Sequence, residues 1–211
     1  MPPPKPRATT LLAWAGLAAC ILLPVALAVF SPYLSSRDLP YIIGGFAGIL
    51  CLSFLVIQPL LAAGYLPGVR LATERRWHRW LGTAIILCVL LHVGGLYLAS
   101  PPDILDALLL VAPTPFSVYG VLGLWSVIAT ALLVALRRRL GLRPATWVLI
   151  HNALALVVVV TTVVHALQIE GAMELVSKWI LCLAALATTV VVLLDLRLVK
   201  PLARRRATSR K

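Results

Sequence analysis

The chain has 211 residues, of which 61% are hydrophobic and only 12% are charged. This composition lies outside the range of soluble globular domains and leaves too little polar surface for one. A net charge of +12 would favour a nucleic-acid partner in a soluble protein, but here we expect it to reflect membrane topology, with the lipid bilayer as partner and no nucleic acid.

Six apolar segments are long enough to cross a hydrocarbon layer of about 30 Å. In chain order they are residues 11–30, 41–64, 80–98, 118–136, 146–167 and 179–199. They predict an all-α integral membrane protein, with one six-helix transmembrane domain over residues 11–199 and short tails at 1–10 and 200–211. The apolar stretch 104–112 contains Asp106 and is flanked by prolines, so we expect it to lie along the membrane interface.

The first apolar segment has two interpretations. Lys5 and Arg7 precede an apolar run that contains Ala26 and Ala28, and this order also describes a cleavable signal peptide. The run is long enough to span the membrane, so we count it as a span. Its removal would leave the topology of the later segments unchanged.

The basic residues concentrate on one side of the predicted membrane. With the N-terminus inside, all of the 19 lysines and arginines except Arg37 and Lys178 lie on the inner side. The outer side carries five acidic residues: Asp38, Asp103, Asp106, Glu170 and Glu174. The positive-inside rule therefore predicts that both termini are cytoplasmic. Because the alanine, leucine and arginine content hints at a bacterium, the expected location is the bacterial inner membrane.

All four histidines belong to two of the six segments. His78 and His92 are in or beside the third span, His151 and His165 are in the fifth, and 14 residues separate the members of each pair. In a helix that spacing returns to nearly the same face about 21 Å further along. Since both spans run from inside to outside, His78 should face His151 at one depth and His92 should face His165 at another.

Two imidazoles at each of two depths favour haem over other metal sites. Compact zinc or copper sites need three or four converging ligands, whereas a b-type haem takes one imidazole on each side of its iron. We therefore expect two b haems per chain, held between the third and fifth helices by the pairs His78/His151 and His92/His165. Since both axial positions would be filled, the expected role is electron transfer, with no catalytic residue.

Small and basic residues near the histidines fit a porphyrin. Gly82 and Ala155, each four residues after an inner histidine, leave room for a flat macrocycle, and Gly94 and Gly95 are expected to do so near the outer pair. Three arginines surround His78 and could pair with haem propionates, although residues of an inner loop need no such role: Arg75, Arg76 and Arg79. Three tryptophans are interpreted as interfacial belt residues: Trp77, Trp80 and Trp147.

The run His78-Arg79-Trp80-Leu81-Gly82, followed by His92 and then by His151 and His165 two spans later, resembles the ferric reductase-like transmembrane domain. The likeness covers about residues 41–199. This family includes the membrane parts of ferric reductases and NADPH oxidases, and the haem-binding membrane subunit of the periplasmic methionine sulfoxide reductase system. The resemblance implies bis-histidine haem b, with electrons entering from the cytoplasm and leaving on the far side.

The resemblance also implies partners. Only a basic tail follows the last span and no glycine-rich phosphate loop occurs, so we expect no direct nicotinamide binding. This short form is similar to the methionine sulfoxide reductase subunit, which implies a flavin reductase with FMN, or a quinol, as donor. The implied acceptor is a periplasmic molybdenum-dependent reductase or ferric iron. That subgroup need not keep a histidine at the position of His78, so the branch stays open.

Two other functions are compatible with the sequence. A quinone-linked cytochrome b subunit of a respiratory complex would also stack haems between helices, although the motif that begins at His78 speaks against it. A transporter or assembly factor could use the intramembrane histidines for protons or metal ions. The first would respond to quinone-site inhibitors, and the second would have no haem absorption.

Overall fold

The computed structural model of the chain describes residues 8–202, and all regular structure in this range is helical. Seven α-helices follow one another: α1 (Ala8–Val29), α2 (Leu39–Ala63), α3 (Leu71–Ala99), α4 (Pro101–Leu108), α5 (Pro115–Ala135), α6 (Pro144–Gln168) and α7 (Leu175–Leu194). A 3-10 helix, Pro32–Ser36, precedes α2, and a π-helical turn, Asp195–Val199, continues α7. Every α-helix except α4 is long and apolar enough to span a membrane, which confirms the prediction of six helices that could span one.

Local signals in the sequence set the helix ends. Proline occupies one of the first two positions of α2, α4, α5 and α6, where its missing N–H costs no helical hydrogen bond. Gly64 ends α2 in the left-handed conformation, with φ of 75°. Glu174 caps α7 by accepting hydrogen bonds from the N–H groups of Val176 and Ser177, both 2.8 Å, and these bonds lower the pKa of its carboxyl group.

The third spanning helix begins earlier than its apolar segment. We predicted the span from Trp80, but α3 starts at Leu71, because the charged residues before the apolar run continue the same helix. Glu74 in its first turn is 1% exposed and accepts a 2.7 Å hydrogen bond from the N–H of Leu66, so it ties the preceding loop to the helix. His78 is therefore an intrahelical residue, two turns inside α3.

Two helix pairs form the bundle. α3 packs along α2, and α6 packs along α5, while α7 fills the space between α2 and α6. α1 lies against α2 and α7, and Trp14 on α1 donates a 3.1 Å hydrogen bond to the carbonyl of Pro67. The backbones of α3 and α6 make almost no close approach. A gap therefore separates the two helices that carry the histidines.

The surface of the bundle is apolar along the spanning helices. Large side chains in mid-helix are more than half exposed, among them Leu87, Leu90 and Leu183. Such a surface is unfavourable in water but suits hydrocarbon, where only the backbone polar groups must be satisfied within the helices. The structure supports a multi-pass membrane protein.

The two ends of the bundle differ in charge. We call the end that carries Arg75, Arg79 and Arg137 the basic end. The opposite end, which carries Asp38, Asp103, Asp106 and Glu170, is the acidic end. The short helix α4 lies at the acidic end between α3 and α5, and its 8 residues cannot cross a bilayer.

Candidate functional site

The four histidines meet in two pairs across the gap between α3 and α6. At the basic end the ring centroids of His78 and His151 are 6.3 Å apart, with an angle of 72° between the ring planes. At the acidic end the centroids of His92 and His165 are 6.2 Å apart, with an angle of 83°. These are the two cross-helix neighbours that the 14-residue spacing predicts.

Both histidines of the acidic end are held by the same kind of hydrogen bond, from Nδ1 to a backbone carbonyl of a neighbouring helix. His92 donates from Nδ1 to the carbonyl of Gly44 on α2, and His165 donates from Nδ1 to the carbonyl of Phe116 on α5, each over 2.8 Å. A glycine lies one turn further along each supporting helix. A Cβ atom on Gly48 would lie 2.9 Å from Nδ1 of His92, and one on Gly120 would lie 2.9 Å from Nδ1 of His165. Glycine at these positions makes room for the rings.

The histidines of the basic end have unlike supports. His78 donates from Nδ1 to the carbonyl of Gln58 over 3.2 Å, and the Gln58 side-chain amide donates back to the carbonyl of His78 over 3.1 Å. Nδ1 of His151 is buried without a partner among residues 8–202. Its ring instead stacks on Trp147, with centroids 5.1 Å apart and an angle of 8°, and Arg137 lies over the ring of Trp147.

In three of the four rings, those of His78, His92 and His165, the Nδ1 bond leaves Nε2 as the nitrogen that could bind a metal. A ring that donates from Nδ1 to a carbonyl carries a lone pair on Nε2, and such a second-sphere bond fixes the tautomer of a metal ligand. No hydrogen bond joins Nε2 of these rings to another residue within the described part of the chain. Two imidazoles that bind one metal from opposite sides have centroids about 6 Å apart, because each metal–nitrogen bond is about 2 Å long.

Both pairs match that separation, so the donor set fits a bis-histidine metal centre. Among the described residues, no group of three or more His, Cys, Asp or Glu side chains could hold a metal ion. Two nitrogen ligands alone do not complete a zinc or copper site, whereas haem iron receives its other four nitrogens from the porphyrin.

A large cavity adjoins the acidic-end pair. Its volume is about 780 Å³, which is within the usual range of small-molecule and cofactor sites. His92 and His165 line it together with Gly48 and Gly120, and most of its wall is apolar. His78 and His151 are not part of this wall.

An apolar layer lies between the two pairs. Ile85, between His78 and His92 on α3, and Val158, between His151 and His165 on α6, are each 6% exposed. They belong to the main core, to which α2 contributes Leu52 and α7 contributes Leu181. This buried apolar layer separates the two histidine pairs.

The glycines and arginines that the sequence associates with a porphyrin have the following neighbours in the structure. A Cβ on Gly82 would lie 3.2 Å from the Gln58 side chain, so Gly82 serves the contact of α3 with α2. Gly95 serves the same helix contact, since its Cβ would lie 2.9 Å from Gly44, and Gly94 has nothing within 4 Å. Neither Gly94 nor Gly95 lines the cavity. Arg75 and Arg79 are exposed at the basic end, and neither forms an ion pair with a described residue.

Other supporting residues were not identified from the sequence. Gln58, Phe116 and Gly120 gave no distinctive signal, and Trp147 was interpreted only as a belt residue. The spacing of Gly44 and Gly48 is the exception, because two glycines four residues apart on an apolar helix indicate a close helix contact. The carbonyl acceptors could not be found in this way, since every residue has one.

Comparisons of the chain with models of protein families, with curated proteins and with solved structures found no match.

The two glycines give a test of the acidic-end geometry. Gly48→Ala and Gly120→Ala should each displace an imidazole and break its Nδ1 hydrogen bond, which is worth about 1 kcal/mol, or about fivefold in affinity. If the acidic-end pair holds a haem, each variant should bind haemin there about fivefold more weakly, measured by haemin titration of the full-length protein. Gly94→Ala is the matched control, because its Cβ meets nothing. Unchanged affinity in both variants would contradict the geometry.

Proposed function

We propose that this chain is a transmembrane cytochrome b that carries electrons across a bilayer between two b haems. The observation that supports the proposal best is the presence of two imidazole pairs with centroids 6.3 and 6.2 Å apart, whose Nε2 atoms have no hydrogen-bond partner among residues 8–202. His78 and His151 would hold the haem at the basic end, and His92 and His165 the one at the acidic end. When bound, each haem supplies a one-electron redox centre.

In this proposal, residues of the chain hold and orient the four imidazole rings. The carbonyls of Gln58, Gly44 and Phe116 keep three of the rings in the tautomer that presents Nε2. Stacking on Trp147 orients the fourth ring, that of His151. Since two histidines would fill both axial positions of each iron, substrates could not bind the metal, and electron transfer is the remaining role.

The distribution of basic residues between the two ends of the bundle sets the direction of electron transfer in this proposal. The positive-inside rule places the basic end, with Arg75, Arg79 and the cluster Arg137–Arg139, in the cytoplasm. Electrons would therefore enter at His78 and His151 and leave near His92 and His165. The membrane would be the bacterial inner membrane, with both termini cytoplasmic.

The partners follow from the resemblance to the ferric reductase-like transmembrane domain. The donor would be a cytoplasmic flavin reductase with FMN, or a quinol. The acceptor would be a periplasmic molybdenum-dependent reductase or ferric iron. On this proposal the chain is the haem-containing electron-transfer component of an oxidoreductase system.

Spectroscopy of the purified full-length protein tests the haem assignment. After expression with adequate haem supply, the reduced-minus-oxidised spectrum should be that of b-type haem, and the pyridine haemochrome assay should give about two haems per chain. The ferric form should be low-spin, because two histidine nitrogens would hold each haem. A preparation without haem under these conditions would overturn the proposal.

A further inference from the structure

A buried lysine lies in the wall of the acidic-end cavity. Lys178, in the first turn of α7, is only 7% exposed. Its Nζ atom donates a 2.6 Å hydrogen bond to the carbonyl of Ile169, which follows the last residue of α6. Ile169 lies one helical turn beyond His165 in sequence. The ammonium group is therefore placed near the acidic-end pair, displaced from it toward the end of the bundle.

The charge of the cavity wall makes Lys178 distinctive. The other charged side chains that line the cavity are acidic: Asp103, Asp106 and Glu170. Among the described residues of the wall, Lys178 is thus the one fixed positive charge. Burying an ammonium group costs several kcal/mol unless it is paired. The bond to Ile169 uses one of its three N–H donors, which leaves two for a partner.

We propose, on the basis of the function proposed above, that Lys178 binds a carboxylate of the ligand held between His92 and His165, namely a haem propionate. A porphyrin has an apolar body and two carboxylates on one edge. The mainly apolar wall suits the body, and Lys178 offers the charge that attracts a carboxylate. Lys178 is then an anion-binding residue of the acidic-end site, in addition to its contact with the end of α6.

A purely structural role would have different consequences. A lysine at a helix C-terminus also stabilises the last carbonyls of that helix. If this were its whole role, removal of the amine would loosen the end of α6 and weaken every ligand of the cavity alike. If Lys178 pairs with a propionate, only ligands that carry free carboxylates lose affinity.

The test compares haemin with haemin dimethyl ester, in which both propionates are neutral. Full-length protein with His78→Ala, which keeps the acidic-end pair intact, is titrated with each compound. In this background Lys178→Met should weaken haemin binding about tenfold or more, as expected for a lost hydrogen bond to a charged group, and leave ester binding unchanged. Lys178→Arg should retain most of the haemin affinity.

The outcomes separate this inference from the haem proposal. Equal weakening of haemin and ester by Lys178→Met, or no weakening of either, would overturn the role of Lys178 while haem binding stands. If the Lys178→Met protein does not fold, haemin should still bind tighter than the ester to the chains with lysine or arginine at position 178, and equal affinities would overturn the inference. Failure of both compounds to bind the His78→Ala protein would contradict the haem proposal itself.

Discussion

If the four histidines hold two haems, as proposed, replacing His92 or His165 with alanine should remove one haem and leave the other in place. On the proposed assignment each ring would be one of only two histidines that hold a haem, so its loss would leave a single protein ligand. The two pairs are about 21 Å apart along the helices, so the distant centre should be unaffected. Haem per chain, measured by pyridine haemochrome, should fall from about two to about one.

Added imidazole separates ligand loss from misfolding. The His92→Ala protein keeps the space of the missing ring, so free imidazole should restore haem binding to it. Ser126→Ala is the control for a substitution on a spanning helix, because the Ser126 hydroxyl bonds only to the carbonyl of Leu122 on its own helix and does not line the cavity. A haem content of His92→Ala equal to that of the unsubstituted protein would contradict the assignment.

Double substitutions test which histidines work together. When two residues form one site, the effects of replacing them do not add, whereas the effects of replacing residues in independent sites do. His78→Ala with His151→Ala should cost no more haem than either change alone. His78→Ala with His92→Ala should remove both haems. Loss of both haems in the first double variant, or retention of one in the second, would show that the pairs are wrong.

Much of the fold could be predicted from hydropathy alone. Six apolar segments become six spanning helices, because the length of such a segment and the need to satisfy its backbone inside lipid leave few alternatives. The start of α3 could not be predicted in the same way. Hydropathy marks the part of a helix inside the membrane, whereas α3 continues through nine residues of mixed charge before Trp80.

The histidine pairs were also accessible from the sequence, since helical periodicity fixes which side chains share a face. The backbone carbonyls that accept hydrogen bonds from the histidines could not be predicted from the sequence. The packing of α2 against α3 decides that Gly44, and not another residue, faces His92. Every residue has a backbone carbonyl, so the sequence does not show which one accepts the hydrogen bond. Lys178 is a comparable case. By sequence it is one of two outer cations, and only the packing of α7 against the end of α6 buries it.

Electron transfer across a sealed vesicle tests the central claim most directly. The full-length protein is reconstituted into liposomes that contain ferricyanide, dithionite is added outside, and valinomycin with potassium compensates the charge movement. In vesicles that contain the unsubstituted protein, dithionite is expected to bleach the enclosed ferricyanide. His92→Ala should slow the bleaching to the rate of protein-free vesicles, whereas Ser126→Ala should leave the rate unchanged. Bleaching by the unsubstituted protein no faster than in protein-free vesicles, or equally fast bleaching by His92→Ala, would contradict the account.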